Sequence, residues 1–422
     1  MGMGGTQRSV KFVKYLPKYN WEPIVVTVRD VLYYAHDESL LDEIRSCKII
    51  RTESLDPLRL LSRIGVRNND KNSRNSSKTP HFKKYFFNFL NSVITNWFLI
   101  PDSKILWLPF AITRSFILIH KYKIKIIYTT SPPQSAHLGG LLLKLITGIQ
   151  WVADFRDDWT GGESQPCPTK LHLLLNKLLE KFVLKSVDCV IAVCNYLRDS
   201  LKKKAGTAIH DKKFLTIMNG YDREDFLGLE TLSSYPQFTI THCGSISRVS
   251  DPEPFLKATR ALFRNNPDLT GQIRIQFFGT DIFGRLKYLF DELKLTQSIR
   301  PIQYLPHREA LKEVMQSHLL LLTIFKKTGE EIITGKIFEY LASGKPILLI
   351  SSEGEVARMI NSLKRGTVIN NSDLEGIQKA ITKYHKEFQS GKLNFNKLLS
   401  LTQYDREILA GKLANEFSKL IQ

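Results

Sequence analysis

GEEIITGKIFEYLASGKPILLI, residues 329–350, sets a loop, a helix and a strand in one short stretch. Ile337, Tyr340 and Leu341 give the i, i+3, i+4 apolar spacing of a helix, Thr334 is the expected N-cap, and Gly344 followed by Pro346 closes it. An apolar run at 347–350 predicts a buried strand directly afterwards. The polar residues are placed oddly for a purely structural element. Glu331 precedes the cap, Glu339 follows in the second turn, and Lys336 stands in the first turn. A helix N-terminus carries free amides and a partial positive charge, so a lysine there is locally unfavourable unless an anion arrives. That is how a phosphate site reads. The plainer alternative for each of these residues is a solvated helix start with scattered charges.

The spacing of Glu331 and Glu339, with Gly335, Lys336 and Gly344-Lys345-Pro346 around it, resembles the E-x7-E region of retaining GT-B glycosyltransferases of the bacterial group 1, family 4-like type. The resemblance implies that Glu339 binds the ribose hydroxyls of a nucleotide. It also implies that Glu331, with the amides of Ile332, Ile333 and Thr334, holds the donor sugar near the breaking bond.

At 422 residues the chain exceeds one hydrophobic core, which predicts two domains, and 43% hydrophobic with 24% charged residues is an ordinary globular composition. The best candidate for a membrane span, 105–119, is interrupted by Arg114, and the opening residues do not read as a signal peptide. Five cysteines, odd in number and without metal-ligand spacing, suit a reduced cytosol, and the histidines form no H-x-x-x-H pair. We therefore expect no bound metal and no cofactor. The net charge of +19 is uneven: residues 1–222 hold 33 Lys and Arg against 19 Asp and Glu, a net +14, leaving +5 for the remainder. Such asymmetry suggests an anionic surface partner, membrane or nucleic acid.

The chain opens on MGMGGTQRS, a glycine-rich turn leading into an amphipathic helix whose apolar positions are Val10, Phe12, Val13, Tyr15 and Leu16. Strands are expected at 24–28, 48–51, 124–129, 151–154, 187–193 and 214–218, separated by helical or loop sequence, which argues for an open parallel sheet. In such a sheet a glycine-rich turn follows a strand, and here none precedes it. The opening resembles the GG-x-QR-x-x-KF-x-KYLP segment of the same glycosyltransferase subgroup, which follows the first strand. This nominates Gly4, Gly5 and Gln7 on the acceptor side and leads to the expectation that the native first strand is missing.

Residues 59–84 dissolve into a polar insertion with eight basic residues opposed only by Asp70, and Tyr85, Phe86, Phe87, Phe89 and Trp97 follow. One reading is a loop joined to a core-facing helix. The other is a membrane-surface patch, basic residues meeting anionic lipid and aromatic ones entering the interface. No RNP-like or zinc-finger pattern accompanies the charge, so nucleic acid is not expected.

Two loops at carboxyl ends of strands then stand out, 129–137 (TTSPPQSAH) and 154–159 (DFRDDW), where open α/β sheets bind ligands. Both resemble segments of the subgroup, S-P-P-x-S-x-H and DFRD-x-W. The resemblance places His137 near the donor sugar. Asp154 and Arg156 either pair with one another or serve acceptor binding and active-site ordering. Asn219-Gly220-Tyr221-Asp222 resembles the segment before the family's interdomain linker.

The expected domains are therefore 1–222, a linker at 223–236, a nucleotide-sugar domain at 237–400, and a C-terminal helix at 401–422 that in the family crosses back to the first domain. A second strand series is expected at 238–243, 273–278, 302–305, 319–324, 347–350 and 367–369. Gly244 and Arg248 after the first of these could meet the donor pyrophosphate, with Lys326 or Lys327 sharing the task. Gly279-Thr280 and Leu305 are candidate nucleobase contacts.

The resemblance covers nearly the whole chain. It implies a GT-B architecture, two Rossmann-like α/β domains with parallel sheets facing a cleft. The activity it implies is transfer of a sugar from a nucleotide-sugar donor to a glycan or lipid-linked acceptor in cell-surface polysaccharide synthesis, with retention of configuration. Glu331 and His137 carry the catalytic expectation. The expected location is cytoplasmic, peripheral on the inner face of the plasma membrane. A nucleotide-sugar 2-epimerase of the same fold and a non-catalytic membrane-associated scaffold are the alternatives.

Overall fold

The computed structural model describes residues 4–29, 39–55, 97, 99–161, 167–206, 211–247, 249–281, 284–295, 299–325, 333–393 and 401–422. The chain forms two compact units, Met3–Met218 with Ala410–Gln422, and Asn219–Leu409.

The second unit is organised by apolar runs such as LLLLTI, read correctly as strands because parallel strands covered on both faces need not alternate. Its six strands are β7 (Phe238–Cys243), β8 (Ile273–Phe278), β9 (Ile299–Gln303), β10 (Leu319–Ile324), β11 (Ile347–Ser351) and β12 (Gly366–Ile369). They form one sheet in the order β12-β11-β10-β7-β8-β9, with every pairing parallel. Read from β9, this is the dinucleotide-binding order, in which the strand sequence reverses between β7 and β10 and opens a crevice at their carboxyl ends. Phe238, Ile240, Leu321, Leu348 and Ile350 lie in one buried cluster with Phe255 and Leu262 of the Glu253–Asn265 helix and Ile377 and Ile381 of the Leu374–Gln389 helix. Five of the six expected strands lie within two residues of their expected bounds. The expected strand 302–305 is displaced to Ile299–Gln303, with a register irregularity between Gln276 and Phe278.

The first unit holds β1 (Ile24–Val28) paired with β2 (Lys48–Thr52), and a four-stranded parallel sheet β3 (Ile126–Ser131), β4 (Gln150–Phe155), β5 (Cys189–Ala192), β6 (Phe214–Thr216). β1 and β3 share no ladder; their residues are mostly half-buried, whereas all four of β5 are buried. Gly4 and Gly5, expected as a turn before the first helix, instead form its first turn, the helix being Gly4–Tyr15. Val10, Phe12 and Tyr15 are buried as its periodicity predicts, and so, unexpectedly, are Arg8 and Lys11. The Lys11 ammonium lies 2.7 Å from Glu43 Oε2.

Arg8 removes one of the two readings of Asp154 and Arg156. Asp154 pairs not with Arg156 but with Arg8, whose Nε and Nη2 donate to the two carboxylate oxygens at 3.0 and 2.7 Å. Thr130 Oγ1 donates to the same carboxylate at 2.9 Å, and the guanidinium also reaches the carbonyls of Ile217 and Met218, both at 2.9 Å. Both charges are essentially inaccessible to solvent. Burial pushes the Asp154 carboxyl up, but the Arg8 charge and its hydrogen bonds outweigh burial and hold it below the ordinary range. Arg156 instead donates to the carbonyls of Ser131, at 3.0 Å, and Pro132.

The Lys170–Ser186 helix is inverted. Thr169 caps it, and its buried face carries His172, Asn176 and Glu180 beside Val183 and Leu184. Asn176 accepts the Trp159 indole N–H at 2.9 Å, and Glu180 lies 3.0 Å from the Lys204 ammonium. Leu171, Leu174, Leu175, Leu178 and Phe182, spaced i, i+3, i+4, i+7 and i+11, are exposed instead. Among the described residues no helix is long and apolar enough to cross a membrane.

Removing one partner of a buried, fully hydrogen-bonded ion pair strands the other, so Arg8→Met is expected to lower the unfolding free energy by roughly 3–5 kcal/mol, as read by denaturant titration. Because Asp154 titrates below its unfolded value, its contribution is present above the ordinary carboxylate range. It fades as pH falls through the lower folded value. The variant's deficit should shrink correspondingly in acid.

Candidate functional site

The crevice predicted by the strand reversal is floored by two glycines. Gly244 and Gly279 follow β7 and β8 with φ of 133° and 139°, values that L side chains rarely adopt. A Cβ on Gly279 would strike the backbone of Gly244, and one on Gly244 would strike the Lys336 side chain. The loops are laced by Gly244 N–H to Phe278 O at 2.6 Å, Ile246 N–H to Thr280 O at 2.9 Å, and Gly279 N–H to Gln303 O at 2.9 Å.

Lys336 opens the Lys336–Ser343 helix, which Gly344 closes at φ 74° as expected. Thr334 is not its N-cap. Gly335 takes that position in a helical conformation without a side-chain cap bond, and the Thr334 carbonyl accepts the Ile337 N–H at 3.3 Å. The first turn thus has no side-chain cap; its Ile337 and Phe338 N–H groups reach the Thr334 and Gly335 carbonyls at a long 3.3 Å, beside a lysine. Lys336 Nζ stands 3.4 Å from His242 Nε2. His242 is fully buried on β7, and burial first, then the neighbouring Lys336, holds it well below its usual pKa and therefore neutral. Its Nδ1 faces the Leu321 carbonyl at 3.0 Å and so carries the proton, which leaves Nε2 to accept from the ammonium. Burial also pulls Lys336 down to about 8, against the opposing fields of Cys243 and Glu339.

One turn on, Glu339 Oε1 lies 2.9 Å from His307 Nε2, and His307 Nδ1 is 3.8 Å from Asp225. His307 begins the His307–Gln316 helix directly after Leu305-Pro306, so the expected nucleobase loop runs beside the expected ribose carboxylate. Gly244, Lys336 and the Gly279-Thr280 loop are therefore brought together, with Glu339 one turn along the helix and Leu305 beside it. Ile333 is buried near the helix start. Glu331, Ile332, Arg248, Lys326 and Lys327 lie outside the described residues, as does the basic segment 59–84 with Tyr85, Phe86, Phe87 and Phe89; Trp97 is described and half-exposed. Sequence reasoning missed His307 and His242. The first had one local signal, a histidine at the first position of a helix after a strand-ending Leu-Pro, and the second had none.

In the first unit His137 is completely buried, stacked on Phe155 with ring centroids 4.3 Å apart. Thr129 Oγ1 accepts the Trp151 indole N–H at 2.9 Å and shares a hydrogen bond with His137 Nδ1 at 2.8 Å, while His137 Nε2 has no hydrogen-bond partner among the described residues. Burial lowers His137 to about 3. It is therefore neutral at pH 7. Gly5 packs against the Arg156 guanidinium so closely that a Cβ there would collide with it, whereas Asp154 is sealed by Arg8. Gln7 is half-buried on the first helix.

Parallel sheets in Rossmann-like order, with a basic helix start over a glycine floor, define a GT-B fold. Residues 76–225 match the family model for Glycosyltransferase Family 4. No curated protein matches the chain significantly in sequence. Among solved structures it resembles sucrose-phosphate synthase from Thermosynechococcus elongatus, at 13% identity and a TM-score of 0.61 over 97% of this chain and 92% of that one. HepE from Anabaena, solved in complex with UDP-glucose, is similar at 13% identity and 0.61 over 99% and 96%. The trehalose 6-phosphate synthase of Burkholderia multivorans aligns at 12% identity and 0.55 over 94% and 98%. At such identity the likeness is one of fold; with the family match it supports a glycosyltransferase.

If Lys336 supplies charge to a bound anion, UDP affinity measured calorimetrically should fall as pH rises through about 8, where the unliganded amine loses its proton. Lys336→Met should bind more weakly and show no such dependence.

Proposed function

We propose that this chain transfers a sugar from a nucleoside-diphosphate donor to a glycan or lipid-linked acceptor, with retention of anomeric configuration, in the building of a cell-surface polysaccharide. The observation that carries the reading is the convergence of the Gly244 and Gly279 loops with Lys336, and Glu339 one turn along its helix, at the strand reversal of the second unit. In this reading the uncapped amides and the Lys336 ammonium stabilise the departing diphosphate, where negative charge develops. His242 holds that ammonium in place. Glu339, oriented by His307, accepts from the ribose hydroxyls, and Leu305 and Thr280 border the base. Glu331 orients a sugar gaining oxocarbenium character, and the resemblance nominates His137 as a second catalytic residue. Gly5 and Arg156, with Gln7, serve the acceptor side, while Asp154 orders that region through Arg8. HepE supplies the precedent of a UDP-sugar held by this fold. The 2-epimerase alternative is not favoured, since the family match and the neighbours are sugar-transferring proteins.

A lipid-linked acceptor agrees with the inverted Lys170–Ser186 helix, whose exposed leucines and Phe182 run beside exposed Lys170, Lys177, Lys181 and Lys185. An apolar stripe rimmed by lysines is the pattern of a helix lying in an anionic membrane interface. We therefore assign the peripheral membrane reading to this face, with the basic segment 59–84 as an auxiliary contact.

The activity is tested by incubating the protein with a panel of nucleotide sugars and an acceptor extract and measuring diphosphate release. Glu339→Ala should weaken UDP binding by about 1.5–3 kcal/mol, the usual worth of a hydrogen bond to a charged group. Wild-type affinity in that variant would remove Glu339 from the ribose role. Replacing Leu174, Leu178 and Phe182 by Ser should abolish most sedimentation with phosphatidylglycerol vesicles. Neutralising Arg63, Arg67, Arg74, Lys83 and Lys84 should chiefly reduce its low-salt component.

A further inference from the structure

At the opposite end of the second unit's sheet, where β11 and β12 begin, lies a cavity of about 190 Å³ lined by Lys345, Lys364, Arg365, Lys383, Thr367 and Tyr384, among others. No Asp or Glu lines it among the described residues. Lys383, 62% exposed, lies 3.9 Å from Glu387 on its own helix.

Arg365 is the unusual member. It is 2% exposed, and its guanidinium makes one long bond, Nη1 to the Gly344 carbonyl at 3.4 Å. Nε and Nη2 are buried with no hydrogen-bond partner. Its backbone is anchored: Arg365 N–H is bonded to Ile360 O and Arg365 O to Ile347 N–H, both at 2.9 Å, and Lys364 before it holds a left-handed turn at φ 52°. A buried, unpaired charge with unsatisfied donors is costly to fold and rare in native proteins. Burial lowers the pKa of Arg365, and it lowers Lys345 to about 8. His318 also feels Lys345 and is pushed down to about 4, mainly by burial. For Arg365 and Lys345 burial is the whole cause; of the three only His318 registers a neighbouring positive charge.

We propose that this pocket is a binding site for a phosphomonoester, with the Arg365 fork and the surrounding lysines holding its phosphate. A planar guanidinium offers parallel N–H groups that match two phosphate oxygens, and three further cations suit a dianion better than a single carboxylate. The volume equals about six waters at roughly 30 Å³ each, which accommodates the phosphate and a small organic body. It is separate from the donor site: Gly344-Lys345 ends the helix that Lys336 begins, eight residues and about 12 Å of helix away. Thr367 Oγ1 and Tyr384 OH, 2.8 Å apart, furnish hydroxyls for the ester side.

The test is thermal denaturation and calorimetry of the full chain with glycerol 3-phosphate as probe, beside Arg365→Met and Lys383→Gln. The wild type should gain melting temperature with rising probe concentration, an effect diminished by salt. Arg365→Met should melt no lower than wild type without the probe, since it removes a stranded charge, yet bind at least about tenfold more weakly, the loss expected for a charged hydrogen-bonded contact. Lys383→Gln, on the rim, should weaken binding severalfold without altering the unliganded melt. A wild type indifferent to the probe and to phosphatidic acid vesicles, or an Arg365→Met protein that responds as wild type does, would overturn the proposal. Arg365-dependent binding to the vesicles alone would identify the phosphomonoester as a lipid headgroup; response to glycerol 3-phosphate identifies a soluble one.

Discussion

The close approach of Gly244 to Gly279 and to Lys336 governs the second unit. Two parallel strands end in loops whose backbones touch, which only residues without a Cβ permit at φ near 135°. The space so freed is taken by the Lys336 side chain, and that puts an ammonium at the first turn of a helix that no side chain caps. The cost of burying this cation shows in its lowered pKa, and the neutral His242 beneath it offers an acceptor but no compensating charge. The opposing fields on Lys336 come from Cys243 and from Glu339 one turn along the helix. The position at the strand reversal is where open α/β sheets bind their ligands, so the fold and the charge imbalance indicate the same place.

The first unit solves the opposite problem. Arg8 and Asp154 are both buried, yet each finds a full set of partners, and the pair ties the first helix to β4 and to the carbonyls that follow β6. Such a pair adds little net stability over an apolar packing, but it is unforgiving of loss. It also withdraws Asp154 from solvent and leaves Arg156 to the Ser131 and Pro132 carbonyls, beside Gly5. The Lys170–Ser186 helix shows a related trade: polar groups with specific partners occupy its inner face, and its leucines are turned outward.

Much of the architecture was legible before any coordinates. Apolar runs such as LLLLTI and KPILLI mark strands whatever their neighbours, because burial on both faces is a local property of the run. GKIFEYLASGKP marks a helix with its glycine stop for similar reasons. The glycines and lysine of the second unit's crevice could be nominated because loops after strands are where function gathers. Thr334 failed as a cap because a good capping residue is only a preference, and the chain began its helix one residue later.

What no local pattern contained was pairing. Asp154 stands two residues from Arg156 and 146 from Arg8, and it bonds the distant one. Glu339 takes His307, and Arg365 takes no acid. The sequence by itself determined which segments are strands and helices, and which loops sit at carboxyl ends, since hydrophobic periodicity and turn chemistry act over a few residues. Only the tertiary structure decided which charges are neutralised, which stay exposed to an arriving anion, and which face of an amphipathic helix looks outward. Those depend on distance and burial, and both are set by the order in which parallel strands are laid side by side.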